Sequence, residues 1–459
     1  MNPDRLVGEP QAKTALPGEA CWQAALETIG TAKTAAPLAQ VVRVVGLTIE
    51  ATGGQAKLGD LCRIETEDDY QPWMEAEVVG FRDGNLLLMP LGEMAALRPG
   101  SRVWNTGAPF RLTVGPELVG RVLNGLGQPI DDRYPVAGVA QYHLHAHAPH
   151  PLRRQEIHEP VSLGIRAIDG FLTVGKGQRI GIFAGSGVGK STTLGMIARN
   201  TEADLSVIAL IGERGREVRD FITQSLGEDG LRRSILVVAT AEQSALLKIK
   251  AALVATTLAE YFRKEGQNVL LMMDSLTRVA MALREVGLAI GEPPATRGYT
   301  PTMYSFLPKL VERAGTSDTG AITGLYTVLV EGDDFNEPVA DTVRGLLDGH
   351  IVLNRALADR NHFPAIDVSA SISRLMMHIV SAEHKQAAGL LRDALATYQQ
   401  SEDLISIGAY VPGHNARLDR AVALKPHIDQ LLRQEVTENS DFESTVAHLV
   451  QLAAAANSR

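Results

Sequence analysis

The sequence predicts a multidomain α/β protein with an N-terminal β-barrel, a central parallel-sheet domain and a C-terminal helical domain. Three observations carry this. Short β-branched runs separated by turn residues fill residues 35–112. After Gly177, near-continuous apolar strands alternate with helical segments, the texture of a parallel sheet covered on both faces. Beyond about Leu375 only helical periodicity remains. The boundaries read as an N-terminal segment at 1–34, the barrel at 35–112, the central domain at 113–375 with a linker at 113–176, and the helical domain at 376–459.

Bulk composition narrows the class. A chain of 459 residues, 45% hydrophobic and 21% charged, buries a large core and carries no disorder signature. A net charge of −9 argues against nucleic acid as a partner, because phosphate binding needs a positive field. Cys21 and Cys62 form no C-x-x-C pair, so neither a disulfide framework nor a zinc site is implied, and a reducing, cytoplasmic setting fits. Met1 to Pro17 lacks the apolar core of a signal peptide, and no uncharged apolar run reaches the roughly 18 residues a spanning helix needs. Peripheral membrane contact stays open.

In chain order, Glu19 to Thr28 is predicted to form a short helix with Trp22, Ala25 and Leu26 on one side, facing either a partner or its own domain. Val41–Val45, Ala76–Val79, Leu86–Met89 and Ser101–Trp104 read as barrel strands, and Asp83-Gly84 as the hairpin turn between two of them. Sheet strands are predicted at Arg179–Ala184, Leu205–Ile211, Ser234–Thr240, Asn268–Asp274, Leu325–Val330 and His350–Leu353. Near the end, Ser440 and Glu443 read as a capping box opening a helix over Asp441 to Ala456.

The sharpest motif is Ala184-Gly185-Ser186-Gly187-Val188-Gly189-Lys190-Ser191, placed between a strand and a helix through Thr192. Glycines let the backbone curl so that N–H groups point inward at a helix N-terminus, an anion nest. Lys190 adds a charge for β- and γ-phosphates, and the Ser191 hydroxyl can ligate Mg²⁺. Ala184 replaces the first glycine of the strict pattern at the strand end, where a methyl is tolerated. Asp274 closes another apolar strand and is the candidate to hold Mg²⁺ through water; the alternative is a cap for the next segment. Glu213 ends a third strand in Gly212-Glu213-Arg214-Gly215-Arg216-Glu217, at the sheet edge where open α/β sheets bind ligands. It is the candidate base or water positioner, against the alternative of an ion pair with Arg214 or Arg216.

Together with Asp274-Ser275-Leu276-Thr277-Arg278, these segments resemble the catalytic subunits of rotary ATP synthases and their secretion relatives. Gly291 to Tyr299, Glu331 to Asp334 and Leu347-Asp348-Gly349-His350-Ile351 resemble type III secretion ATPases. Ala295 to Pro301 with Asp341 to Gly345 is similar to the flagellar export branch of that family. The resemblance implies a RecA-like P-loop ATPase core assembled as a homohexamer, hydrolysing ATP with Mg²⁺ to energise export. It implies partners in export regulator and stalk proteins, export-gate membrane proteins, export substrates and chaperones. The setting it implies is cytoplasmic and peripheral to the inner membrane at the export apparatus. Residue by residue, it assigns Arg374 in Ser371-Ile372-Ser373-Arg374 to an arginine finger for the neighbouring subunit and Arg214 to the γ-phosphate region. Phe363 and Tyr410 become adenine contacts.

Competing readings are a virulence-type secretion ATPase, a non-catalytic nucleotide-binding subunit and a Rho-type RNA translocase. The carboxylate at Glu213 speaks against the second. Acidic charge, with no basic-aromatic stretch in the barrel, speaks against the third. His143, His145 and His147 alternate, with His150 three residues on, and histidine-rich tracts bind metal, but no Cys, Asp or Glu lies within the tract and Pro149 and Pro151 mark it as a linker.

Overall fold

The computed structural model describes residues 39–94, 97–131, 133, 138–330, 334–335 and 337–457. The short helix expected at Glu19 to Thr28 lies outside the described residues, as do Cys21 and most of Glu331 to Asp334.

Six strands close the barrel: β1 (Ala39–Val45), β2 (Thr48–Thr52), β3 (Asp60–Glu65), β4 (Trp73–Arg82), β5 (Asn85–Pro90) and β6 (Arg102–Pro109), in the order β1-β2-β5-β4-β3-β6. Alternation sends Val41, Ile49, Ile64, Ala76, Val78, Leu88 and Val103 inward. Cys62 joins them; it is a free thiol, pushed up to about 12 by burial and by the charge of Asp60. Asp83 and Gly84 both have positive φ, 51° and 80°, the two-residue turn that matches strand twist.

The predicted linker is not a plain connector. It holds the antiparallel pair β7 (Arg111–Val114) and β9 (Ala140–His143), and between them β8 (Val122–Asn124), which forms one edge of the central sheet. His143 ends β9 opposite Arg111, and Leu144 is buried with its carbonyl accepting from Arg313 Nη1 at 2.7 Å. A small pair, β10 (Pro160–Val161) with β11 (Val174–Gly175), leads into the central domain.

There β12 (Arg179–Ala184), β13 (Leu205–Glu213), β14 (Ser234–Thr240), β15 (Asn268–Asp274), β17 (Ala321–Leu329), β18 (Gly349–Leu353) and β19 (Ile366–Ser373) build a nine-stranded sheet. Its order is β19-β18-β12-β17-β15-β13-β14-β8, with the short β16 (Gly315–Thr316) paired to β17. All neighbours along that order are parallel except β18 and β19. Strand periodicity divides β13 between two cores. Val207, Ala209 and Ile211 face the helices Ala245–Lys264 and Leu276–Ile290. Ile208 and Leu210 face the helix Lys190–Asn200 and the C-terminal helices.

The C-terminal helices Ala382–Ser406, Ala416–Leu432 and Phe442–Asn457 contribute Leu391, Leu395, Leu424, Ile428 and Leu449 to that second core, so the helical domain is packed onto the phosphate-loop side of the sheet. The last helix corrects the expected cap. Asp441 is the capping residue, its carboxylate accepting from Ser444 N at 2.8 Å, while Ser440 Oγ pairs with Thr445 Oγ1 at 2.8 Å. The barrel meets the sheet domain through Met89, Leu91 and Leu246, a buried Lys250–Glu77 ion pair, and Arg82 Nη2 donating to Ile290 O at 3.0 Å.

Candidate active site

β12 is anchored by Ile180, Ile182 and Ala184, all buried, so the strand delivers its loop from a fixed base. Ala184 is the last residue of the strand, where its methyl packs in the core. Gly187 and Gly189 have φ of 79° and 90°, a region that strains any side chain. Gly189 is the N-cap of the helix Lys190–Asn200, so Gly187, Val188 and Gly189 lead directly into its N-terminus. The loop tip is tied back where Arg355 Nη2 donates to Ser186 O at 2.8 Å.

Three strand ends converge on Lys190. Its Nζ donates to Asp274 Oδ1 at 2.5 Å and to Glu213 Oε1 at 3.2 Å. Asp274, 2% exposed, also accepts from Thr327 Oγ1 at 2.7 Å, on the strand lying between β12 and β15. Ser275, not Asp274, caps the following helix, accepting from Arg278 N at 3.3 Å. The Asp274 carboxylate therefore faces the phosphate loop. Glu213 does not pair with its arginine neighbours either: Arg214 sits 3.7 Å from Glu217, and Arg216 sits 4.0 Å from Asp220.

Burial dominates the electrostatics. It works to lower the Lys190 pKa, but the charges of Asp274 and Glu213 outweigh it and hold the ammonium above its ordinary value. Burial raises Glu213; Lys190 opposes this, while Asp274 and a hydrogen bond shared with Glu217 add to it, and the net direction is up. Glu217 moves down, chiefly through that shared hydrogen bond. The cluster is thus a shielded cation held by two carboxylates of unequal character, one fixed by a hydroxyl and one inclined to take a proton.

Beside the loop lies a cavity of about 480 Å³ lined by Gly189, Thr192, Phe363 and Pro364 on one side and by Arg433 to Val436 on the other. Phe363 is 41% exposed into this region, and its carbonyl accepts from Gln434 N at 3.0 Å. Sequence reasoning missed the Arg433 to Val436 wall, as well as Thr327 and Arg355. Of these only Thr327 left a trace, as a polar residue inside an apolar strand.

Two other expected site residues lie apart from this cluster. Tyr410 stands apart: its hydroxyl donates to Asp419 Oδ1 at 2.5 Å beyond the long helix Ala382–Ser406, and it is not among the residues lining the Phe363 cavity. Arg374 follows β19, where Ser373 is level with Gly349 at the start of β18; Ala184 and the loop are level with Leu353 at its other end. Four strand steps, about 13 Å, separate those levels. Arg374 is exposed, at the opposite end of the strands from its own phosphate loop.

Comparison with known proteins gives a consistent picture. Residues 164–373 match the nucleotide-binding domain of the ATP synthase alpha/beta family, 41–107 its beta-barrel domain, and 380–451 the T3SS EscN ATPase C-terminal domain. The chain is 54% identical to the flagellum-specific ATP synthase of Bacillus subtilis over 90% of its own length and 94% of the relative's. It is 48% identical to the type 3 secretion system ATPase of Xanthomonas euvesicatoria, over 90% and 93% of the two chains. Among solved structures, the assembled ATPase EscN from the enteropathogenic E. coli type III secretion system superposes with a TM-score of 0.85 at 44% identity. That match covers 90% of this chain and 100% of the EscN chain in that structure. EscN in complex with its central stalk EscO gives a TM-score of 0.84 over the same shares.

Proposed function

The chain belongs to the ATP synthase alpha/beta family and is an ATPase; from that membership we propose that it hydrolyses Mg-ATP as a ring of identical subunits and energises flagellar type III protein export. The observation that carries the catalytic part is Lys190 held between Asp274 and Glu213 at the mouth of the phosphate loop. Gly185, Ser186, Gly187, Val188, Gly189, Ser191 and Thr192 take the phosphate chain on backbone N–H groups and hydroxyls at the helix N-terminus. Lys190 turns from the carboxylates to the β- and γ-phosphates and offsets their charge there.

Ser191 and Asp274 present hard oxygen donors, which suit Mg²⁺, with Asp274 acting through water. When bound, that ion neutralises charge between the phosphate oxygens. Once Lys190 moves, Glu213 orients the attacking water and its carboxylate accepts the proton. Arg214 leaves Glu217 for the γ-phosphate. Phe363 packs against the adenine within the cavity it lines. Arg374 serves the neighbour's nucleotide, a role supported by its place at the far end of the strands from its own loop.

EscN is described both assembled and with its central stalk, which supports self-assembly and a stalk partner for this chain. We extend the partners to export regulator, gate, chaperone and substrate proteins, with attachment at the inner membrane. A virulence-type export role is the second reading, favoured by relatives named type 3 secretion system ATPase at 47–48% identity. Deleting the gene separates the two: loss of flagellin secretion and motility supports the flagellar role, and retained motility with loss of another secreted set overturns it. The chemistry is tested by Lys190→Ala and Glu213→Gln. Lys190→Ala is expected to abolish turnover. Glu213→Gln is expected to keep fluorescent-nucleotide binding while stopping phosphate release; turnover in either variant contradicts the assignment.

A further inference from the structure

Around Arg374 lies a network that the roles above leave unused. The Arg374 N–H donates to Asp348 O at 3.0 Å. Asp348 is itself fixed from both ends: its N–H donates to Arg179 O at 2.8 Å. Its carboxylate accepts from Arg179 N at 3.0 Å, Nε at 3.1 Å and Nη2 at 3.2 Å. Gln178, with no exposed surface, donates from Nε2 to Asp348 O and to Ser373 Oγ, both at 3.1 Å, while its Oε1 accepts from Gly175 N at 2.8 Å. Ser373 Oγ then donates to Thr173 O at 2.8 Å.

The neighbouring residues bring the strands together. A Cβ on Gly349 would lie 2.4 Å from Ile372 O, so only glycine lets β19 approach this closely. His350 Nε2 meets Ala370 O at 3.2 Å. Asp348, Gly349 and His350 are consecutive residues of one segment, and all three bind the strand or the turn that carries Arg374. Two buried polar side chains, Gln178 and Ser373, hold this short stretch of backbone, and the half-buried Asp348 carboxylate ties it to Arg179; with the arginine left exposed beyond it, this is the arrangement of a mount.

We propose that Asp348, together with Gln178 and Ser373, is a positioning residue that fixes where the Arg374 guanidinium projects toward a neighbouring subunit's nucleotide. This rests on the reading that Arg374 acts between subunits. An arginine finger contributes on the order of 10³–10⁵ in rate, and a misplacement of about 1 Å can cost on the order of 100-fold. Loosening the mount therefore lowers turnover without touching the chain's own phosphate loop.

The test uses the full-length chain with Asp348→Asn, and Ser373→Ala as a milder second variant. In each, kcat falls by roughly 10- to 100-fold while KM for ATP stays within about twofold of wild type. Mixing either variant with Glu213→Gln chains restores activity, because the Glu213→Gln subunit brings an intact mount to the variant's intact loop. Unchanged kcat in both variants overturns the proposal. So does a KM that rises in step with the loss, or absence of rescue in mixtures shown to co-assemble. Arg374→Ala mixed in parallel with Glu213→Gln separates the two levels. If it is rescued and the mount variants are not, this inference alone fails; if it is not rescued either, the reading of Arg374 fails first.

Discussion

At the residue scale, the site is a contest between burial and charge around one lysine. Glu213 is the group whose state decides turnover in this account, and its pKa lies above the ordinary carboxylate value of about 4.3. Only the carboxylate form can accept a proton, so kcat/KM, which reports the groups of the free enzyme, falls as pH drops through that raised value. Glu217→Gln removes one of the influences holding Glu213 up, so a pH–rate profile of that variant has its acid limb at lower pH. A limb that stays put, or moves up, contradicts this coupling. Asp274 and Glu213 were legible in the sequence because each sits at the end of an apolar run, where strand periodicity assigns it to the sheet edge, and Lys190 because it follows a glycine-rich loop at a helix start. The surroundings of Tyr410 were not legible, because a lone aromatic in a loop has no local signal of what it faces; its hydroxyl partner is Asp419. The Gln434 wall comes from a helix boundary hundreds of residues from the phosphate loop, and nothing local announces it.

At the element scale, long buried strands were readable and short or mixed ones were not. β8 has three residues, and β19 alternates Ser and Asp with apolar positions, so neither forms the continuous run that marks β13 or β15. The cap at Asp441 against Ser440 shows the limit of local chemistry: both residue types cap well, and the side-chain pairing of Ser440 with Thr445 decides between them. The seam between barrel and sheet domain has its own testable element, the Lys250–Glu77 pair, where both residues are nearly inaccessible to solvent. Removing one partner leaves a buried charge and costs about 3–5 kcal/mol, whereas replacing both with apolar residues of similar size is close to neutral. Lys250→Met alone is therefore expected to lower the unfolding midpoint clearly, and Lys250→Met with Glu77→Leu to recover most of the loss. Equal losses in the single and double variants would show that the pair contributes little beyond its packing.

At the scale of the whole molecule, the phosphate loop and Arg374 lie level with opposite ends of β18, and under the role proposed for Arg374 each chain relies on a neighbour to complete its site. The three-domain order was legible from texture, since barrel, parallel sheet and helices bury apolar residues with different periods. The proposed ring had no such signature, because exposed residues follow no such period; it entered through resemblance. The measurement that bears most directly on the central claim is specific ATPase activity of the wild-type chain against protein concentration, with particle mass recorded on the same samples. Sites completed by a neighbour predict near-zero activity for the monomer and a steep rise that tracks formation of the ring. Constant specific activity from monomer to ring, or a ring that neither binds Mg-ATP nor releases phosphate, would contradict the account.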